Sequence, residues 1–138
     1  MSDDDTSIKI LNSPVSTSMR DSPPTVEPSE PVSSISYTMI REDIGAVIVM
    51  EEGRPLGIIT EKDILERVLT PGKDAYKTLA KDVMSKPLIS IESSQPVKEA
   101  LRIMKEKKIR RLAVIEDGSL TGLITERRLL ASICNQII

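Results

Sequence analysis

The sequence lacks several residue types on which common catalytic and binding sites depend. Its 138 residues include no histidine, tryptophan or phenylalanine, and only two tyrosines and one cysteine. The absence of histidine excludes Ser-His-Asp and Cys-His catalysis and histidine-ligated metals. A single cysteine excludes a disulfide within the chain, a CxxC redox pair and a cysteine zinc cluster. The scarcity of aromatic rings argues against a stacking platform for single-stranded nucleic acid.

Long hydrophobic runs are also missing. No apolar run approaches the roughly 18 residues that indicate a membrane-spanning helix. The first six residues, MSDDDT, have neither the basic start nor the apolar stretch of a secretory signal. We therefore expect a cytoplasmic protein that does not contact a membrane.

The net charge of −2 is unevenly distributed. Residues 1–30 carry a net −4, residues 31–73 a net −2 and residues 74–138 a net +4. We interpret residues 1–12 as a flexible acidic N-terminal tail, because acidic runs of this kind are usually solvated. The basic surplus is concentrated in residues 105–111, which carry a net +4.

The sequence contains an internal repeat with a spacing of 65 residues. When residues 19–65 are aligned with residues 84–130 without a gap, 15 of 47 positions are identical. The identities include the stretches Gly57-x-Ile59-Thr60-Glu61 and Gly122-x-Ile124-Thr125-Glu126. The chain is therefore a tandem of two small units.

Each unit shows the pattern helix, strand, strand, helix, preceded by a short extended segment. Pro31 and Pro96 each start a run of apolar residues at helical spacing, and proline suits the first turn of a helix. Two apolar runs separated by a turn at Gly53 or Gly118 then indicate a β-hairpin. The predicted core stripe of the first helix consists of Val32, Ile35, Met39 and Ile40.

These patterns predict a mixed α/β (α+β) fold of two α-β-β-α units. The first unit spans residues 13–73, and residues 74–138 comprise a connecting helix, over 74–83, and the second unit. Each unit is too short to bury a good core alone, so we expect the two to pack face to face.

The repeated residues resemble the CBS (cystathionine-β-synthase) domain, present as a tandem pair. The resemblance rests on residues 82–91 (DVMSKPLISI), 109–118 (IRRLAVIEDG) and 57–63 (GIITEKD), and it covers nearly the whole chain. It implies two domains packed sheet to sheet with pseudo-twofold symmetry, which leaves two clefts. It also implies a stand-alone homodimer that binds an adenosine-containing ligand, namely AMP, ADP, ATP or S-adenosylmethionine.

Thr60 and Asp63 are candidate ligand residues in the stretch that begins at Gly57. A carboxylate only accepts hydrogen bonds and can take two hydroxyl groups at once, which suits the 2′ and 3′ hydroxyls of ribose. The resemblance implies this role for Asp63 and places Thr60 near the sugar or the α-phosphate. The alternative is a capping box, in which the acid bonds back to the N–H of the capping threonine. The motif alone favours the capping box, and the resemblance favours ribose.

The second unit carries Arg128 where the first carries Asp63. Arginine cannot accept a hydrogen bond, so a ribose bound in the same way has no acceptor there. We therefore predict one main nucleotide site per chain, around Asp63. The cleft at Thr125 and Arg128 is either empty or binds an anion.

Arg110 and Arg111 are candidate phosphate ligands, because a guanidinium presents a planar fork of donors. The alternative for this basic run is a solvated helix end, where positive charge favours the helix dipole. The resemblance implies that backbone groups near Thr25 read the adenine edge. It also implies an adenine slot with aliphatic walls, formed by Val26, Val47 and Ile59.

The function predicted from these features is an adenine-nucleotide-binding regulatory module that senses energy or metabolite state and acts on a separate protein partner. We do not expect an enzyme or a metal site, because no nucleophile, ligand set or acid–base pair is evident. One alternative is a ligand-free dimerisation or scaffold module. A nucleic-acid-binding accessory is a weaker alternative, since the charge is near neutral and aromatics are scarce.

Overall fold

The computed structural model of the chain describes residues 8–137, with side chains described as far as residue 134. These residues form two compact units. The first unit contains Pro23–Leu88, and the second unit joins the described residues before Pro23 to the chain from Ile89 onwards. Each unit has one β-sheet and its own hydrophobic core, so the fold is mixed α/β, as predicted.

The secondary structure alternates as the sequence patterns indicate. In chain order the strands are β1 (Arg20–Asp21), β2 (Thr25–Val26), β3 (Ala46–Glu51), β4 (Arg54–Thr60), β5 (Ser90–Glu92), β6 (Arg111–Glu116) and β7 (Ser119–Thr125). The helices are α1 (Val32–Glu42), α2 (Glu61–Ile64), α3 (Ala80–Val83), α4 (Val97–Lys107) and α5 (Glu126–Ile137). A π-helical turn over Leu65–Leu69 continues α2, and a 3-10 turn spans Val15–Thr17.

In the first unit the strand order is β2-β3-β4, with β2 parallel to β3 and β3 antiparallel to β4. Val32, Ile35 and Met39 of α1 are buried in the core. Ile40, predicted in the same stripe, is 80% exposed. Successive helical residues are about 100° apart, so Ile40 faces outward when Met39 faces the core. The assignment of Ile40 to the core was wrong.

The second unit repeats this arrangement 65 residues later. β5 is parallel to β6, and β6 is antiparallel to β7. Even the irregularity of the hairpin recurs, because the register shifts after Val49 in one unit and after Val114 in the other. β1 extends the second sheet by pairing antiparallel with β7. The two repeats therefore share one fold, including the strand register.

The two hairpin turns have matching backbone geometry. Glu52 and Gly53 have φ values of 50° and 78°, and Asp117 and Gly118 have φ values of 51° and 80°. Positive φ at both central residues is the geometry of the two-residue turn that suits the twist of paired strands, and glycine adopts it at no steric cost. The hairpins predicted from the glycine positions are thus present.

The predicted connecting helix over 74–83 is largely absent, because only α3 is helical. The backbone N–H of Tyr76 donates to Oδ1 of Asp74 at 2.9 Å, which forms a local turn instead of a helix. Leu79 is extended and forms an isolated bridge with Pro31. The chain therefore changes direction before α3 begins.

The segment in front of each repeat packs on the core of the other repeat. The N–H of Val15 donates to the carbonyl of Gln95 at 2.8 Å, and the matching N–H of Ala80 donates to Glu30 at 2.8 Å. Val15 and Ala80 are fully buried in the cores of the second and first units. The compact units therefore differ from the predicted linear ranges, since those ranges keep each leading segment with the repeat that follows it.

The predicted acidic tail over residues 1–12 is only partly described. Residues 1–7 lie outside the described residues. Residues 8–11 form a helical turn, and Leu11 packs against the core of the second unit. The flexibility of the tail stays a prediction.

Candidate functional site

The candidate site in the first unit lies where β4 ends and α2 begins. Thr60 occupies the N-cap, and its Oγ1 accepts a hydrogen bond from the N–H of Asp63 at 3.3 Å. Oδ2 of Asp63 accepts from the N–H of Thr60 at 2.9 Å and lies 3.1 Å from the Thr60 hydroxyl. The two residues form a capping box, the alternative that the motif alone favours.

Asp63 also has a contact that a cap does not require. Its side chain is 11% exposed, and Oδ1 accepts a hydrogen bond from the hydroxyl of Ser85 at 3.0 Å. A carboxylate offers about four acceptor positions, and the bonds from Thr60 and Ser85 fill three of them. Asp63 is thus a nearly enclosed carboxylate held by two hydroxyl groups and one backbone N–H.

A cation lies beside this carboxylate. Nη2 of Arg67 is 3.9 Å from Oδ1 of Asp63, and Nη1 donates to the carbonyls of Val83 and Met84 at 2.8 and 3.0 Å. Arg67 belongs to the π-helical turn, a rare element that often occurs at functional positions. The arginine connects the carboxylate to the backbone that follows α3.

Gly57 permits a close approach, as its place in a strand suggests. A Cβ at this position would lie 2.6 Å from the carbonyl oxygen of Ser85 and 3.2 Å from the sulfur of Met84. The same segment pairs with β4, because the N–H of Ser85 donates to Ile58 at 2.8 Å. The group that approaches the glycine is therefore the chain's own backbone.

The matching position in the second unit is built differently. Thr125 caps α5 by accepting a hydrogen bond from the N–H of Arg128 at 3.0 Å, so the helix starts without an acid. Nε of Arg128 donates to the carbonyl of Ser18 at 3.0 Å. Arg128 therefore holds the leading segment of its own unit, a role that neither an empty cleft nor an anion site predicts.

The side chains predicted to form the adenine walls are buried. Val26, Val47 and Ile59 are at most 4% exposed and belong to the core of the first unit. Side chains alternate along a strand, so Val47 and its cross-strand partner Ile59 point into the core, and Ile48 and Ile58 point to the other face. Their role as adenine walls stays a prediction.

Thr25 lies in a more accessible place. It is exposed and belongs to β2, the edge strand of the three-stranded sheet. Edge strands present unpaired backbone donors and acceptors. This position suits the predicted reading of a base edge by backbone groups.

Arg110 and Arg111 belong to the second unit. Arg110 is exposed in the turn before β6, and its carbonyl accepts from the N–H of Glu126 at 2.9 Å. Arg111 is half-buried as the first residue of β6, paired with Thr125. Their phosphate role stays a prediction.

The sequence reasoning missed Ser85 and Arg67. Both differ from their counterparts in the repeat, which are Arg20 and Ser132, just as Asp63 differs from Arg128. A search for positions where the repeats differ in charge or polarity near the helix start would have found them together.

Neither a metal site nor a membrane span is present among the described residues. Within them, no group of three or more His, Cys, Asp or Glu side chains is arranged to hold a metal ion. In the same part of the chain, no helix combines the length and apolar character needed to cross a membrane.

The sequence and fold were compared with known proteins. The uncharacterized protein MK0525 of Methanopyrus kandleri is 39% identical over 108 residues, which are 77% of this chain and 55% of that protein. The CBS domain-containing protein YhcV of Bacillus subtilis is 30% identical, over 72% of this chain and 71% of its own length. The chain thus spans about half the length of the first relative.

The fold also matches solved structures. An uncharacterized conserved protein from Pyrococcus horikoshii superposes with a TM-score of 0.81 and 30% identity, over 88% of this chain and 92% of that one. The family model described as CBS domain matches residues 15–70 and 80–135. The chain therefore belongs to the CBS-domain family and contains two CBS domains.

Proposed function

We propose that the chain is a regulatory module that binds an adenosine-containing ligand, of the AMP, ADP or ATP type, at one main site per chain. Tandem CBS domains are commonly regulatory and ligand-binding. The observation that carries the proposal is the carboxylate of Asp63, which is 11% exposed and held by hydroxyl groups. The other repeat starts the matching helix, α5, without an acid, so capping alone does not explain the presence of Asp63.

The donors around Asp63 support a sugar as the ligand group. The side chains that hydrogen-bond to its two oxygens are the hydroxyls of Thr60 and Ser85, and the guanidinium of Arg67 lies 3.9 Å from Oδ1. The 2′ and 3′ hydroxyls of a ribose are donors of the same chemical type, and their spacing suits one carboxylate. One ribose hydroxyl takes the free acceptor position of the carboxylate, and the other takes the position that one of the two protein hydroxyls fills in the free chain.

The arginine pair of the second unit is a separate part of the proposal. Arg110 and Arg111 are proposed to bind the phosphate of the ligand, since arginine matches phosphate oxygens with two parallel donors. The carbonyl of Arg110 accepts from the N–H at the start of α5, which orders the turn that carries Arg110, and Arg111 is held as the first residue of β6. S-adenosylmethionine has no phosphate, so its binding depends less on this pair.

Thermal-shift and calorimetric titrations with AMP, ADP, ATP and S-adenosylmethionine test the proposal. A ligand present at a hundred times its Kd stabilises the folded chain by about 2.7 kcal/mol. Asp63→Asn should abolish the response, and Arg110→Ala combined with Arg111→Ala should weaken AMP more than S-adenosylmethionine. Thr125→Ala is the matched control, because it removes a helix cap without touching the carboxylate.

Three results contradict the proposal or a part of it. A wild-type chain that responds to none of the four compounds is not an adenosine sensor. A response that survives Asp63→Asn assigns the ligand to another place. Equal losses of AMP and S-adenosylmethionine in the double arginine variant remove the phosphate role.

We propose further that the module is not an enzyme and acts in the cytoplasm by passing its ligand state to a partner protein. The regulatory character of CBS-domain proteins supports this reading. A pull-down with the purified chain, with and without the bound nucleotide, tests it through ligand-dependent capture of one protein. Capture that ignores the nucleotide contradicts it.

Self-association is the second candidate function, and exposed apolar side chains favour it. Ile40 and Tyr37 on α1 are 80% and 65% exposed, and Leu65 and Leu69 are 55% and 60% exposed. The counterparts of Ile40 and Tyr37 on α4 are charged, namely Lys105 and Arg102. We therefore propose a homodimer that covers the apolar face of α1 with a second copy of the chain.

Light scattering during size-exclusion chromatography measures this directly. Ile40→Lys gives α1 the residue that α4 carries, and it should convert the dimer to a monomer because a buried charge is costly. Lys105→Gln, the matched change on α4, should leave the dimer intact. A dimer that tolerates Ile40→Lys uses another surface.

A further inference from the structure

The segment that ends the first unit is tied to the candidate site by three kinds of contact. The N–H of Ser85 donates to the carbonyl of Ile58 at 2.8 Å, and the N–H of Ile58 donates back at 3.1 Å. Arg67 donates to the carbonyls of Val83 and Met84. The hydroxyl of Ser85 donates to Oδ1 of Asp63 at 3.0 Å. This last bond joins the segment to Asp63, the residue proposed to bind the ribose.

The second unit holds its equivalent segment without such a bond. Ser18 matches Val83 in the repeat, and its carbonyl accepts from Nε of Arg128 at 3.0 Å. Because Arg128 stands at the position of the acid, no carboxylate is available there for a hydroxyl group. The helix α5, which Thr125 caps, is a continuous α-helix, whereas its counterpart α2 passes into the π-helical turn. The hydroxyl–carboxylate bond is therefore particular to the repeat that has the acid.

We propose that Ser85 is a positioning residue that competes with the ligand for Asp63. This inference rests on the proposed function, because it takes a ligand hydroxyl as the competitor. The Ser85 hydroxyl occupies Oδ1 when the site is free, and a ribose hydroxyl takes its place when the ligand binds. The bond to the chain's own serine thus lowers ligand affinity.

The replacement of the Ser85 hydroxyl by a ribose hydroxyl also changes how the segment that carries Ser85 is held. Ser85 lies three residues before Leu88, where the first unit ends. Loss of the side-chain bond leaves the backbone bridge to Ile58 and the contacts of Arg67 as the remaining ties. Ligand binding should therefore loosen this segment without unfolding it, and amide exchange at Ser85 should rise.

The sign of one mutational effect distinguishes competition from simple support. If Ser85 only supported the site, its removal would weaken binding. Competition predicts the reverse, so Ser85→Ala should bind AMP about tenfold more tightly, a difference of about 1.4 kcal/mol. Ser85→Thr keeps the hydroxyl and should bind AMP like the wild-type chain.

The experiment is calorimetric titration of AMP into the wild-type chain, Ser85→Ala, Ser85→Thr and Asp63→Asn. Thr121→Val is the matched control, because it removes a half-buried hydroxyl that donates to the carbonyl of Val114 in the second unit. Circular dichroism confirms that each variant is folded before titration. Hydrogen exchange of the Ser85 amide, with and without AMP, provides the second readout.

Each outcome decides between the two proposals. Tighter binding by Ser85→Ala, together with loss of binding by Asp63→Asn, supports both. Unchanged or weaker binding by Ser85→Ala overturns the competition and leaves the nucleotide site standing. Binding by Ser85→Ala alone supports the competition and contradicts the proposed function of the wild-type chain, because the serine then keeps AMP out. If neither the wild-type chain nor Ser85→Ala binds AMP, the competition falls.

Discussion

Removal of the Asp63 carboxylate should destabilise the fold by an amount that its contacts predict. In Asp63→Ala the N–H of Thr60 and the hydroxyl of Ser85 lose a charged acceptor at 2.9 and 3.0 Å. Hydrogen bonds to charged groups contribute about 1.5–3 kcal/mol each, but the substitution also relieves the desolvation of the carboxylate. We expect a net loss of about 3 kcal/mol, and about 1 kcal/mol for Asp63→Asn, which keeps one acceptor oxygen.

Urea unfolding followed by far-ultraviolet circular dichroism measures this loss, since the chain has no tryptophan for fluorescence. For a domain of this size, 1 kcal/mol corresponds to roughly 4 °C in Tm, so Asp63→Ala should melt about 12 °C lower. Thr125→Ala removes a cap in the other repeat and should cost about 1 kcal/mol. The difference between the two variants isolates the contribution beyond capping.

A double-mutant cycle with Ser85→Ala tests the contact itself. If the hydroxyl and the carboxylate interact as the distance of 3.0 Å indicates, their coupling energy should be about 1 kcal/mol. A coupling below about 0.3 kcal/mol, with a loss below about 0.5 kcal/mol for Asp63→Ala, would show that the carboxylate does not stabilise this segment.

Three further predictions concern other parts of the chain. Gly57→Ala places a Cβ 2.6 Å from a backbone oxygen, so it should lower the urea midpoint; an unchanged midpoint contradicts the close packing. Val15→Ala should cost about 2 kcal/mol, because Val15 is fully buried in the core of the second unit; a loss near zero would mean that its segment is not docked. The hydrogen bond from Arg102 holds the pKa of the Glu99 carboxyl below its ordinary value, so Arg102→Gln should raise that pKa in an NMR titration. Because the shift is downward, the pair's stabilisation is present above the ordinary glutamate pKa and is lost as the pH falls through the lowered one; an identical titration in the variant argues against the ion pair.

The order of the elements was predictable because it depends on short-range patterns. Turn glycines, proline positions and apolar spacing act over a few residues, and the same patterns recur 65 residues further along the chain. The face of the sheet on which each side chain lies was harder to predict from the sequence. Val47 and Ile59, predicted to line a ligand slot, lie in the core of the first unit, and alternation identifies two faces without saying which one faces that core.

The candidate site was predictable only in part. Thr60 and Asp63 stand three residues apart, so their local bonds follow from the sequence. Ser85 lies 22 residues further on, and its contact with the carboxylate depends on how the segment after α3 docks on β4. Arg67 reaches the same segment from a π-helical turn that no simple periodicity indicates.

The tandem of two similar folds, with an acid in one and an arginine in the other at the same position, follows from the amino-acid sequence alone. The contacts of those two side chains depend on the packing of the folded chain. Arg128 bonds to a carbonyl 110 residues away, and Asp63 bonds to a serine from the segment that leads into the other repeat. Local patterns specify helices, strands and turns, whereas the partner of a buried polar group is fixed only when distant segments pack together.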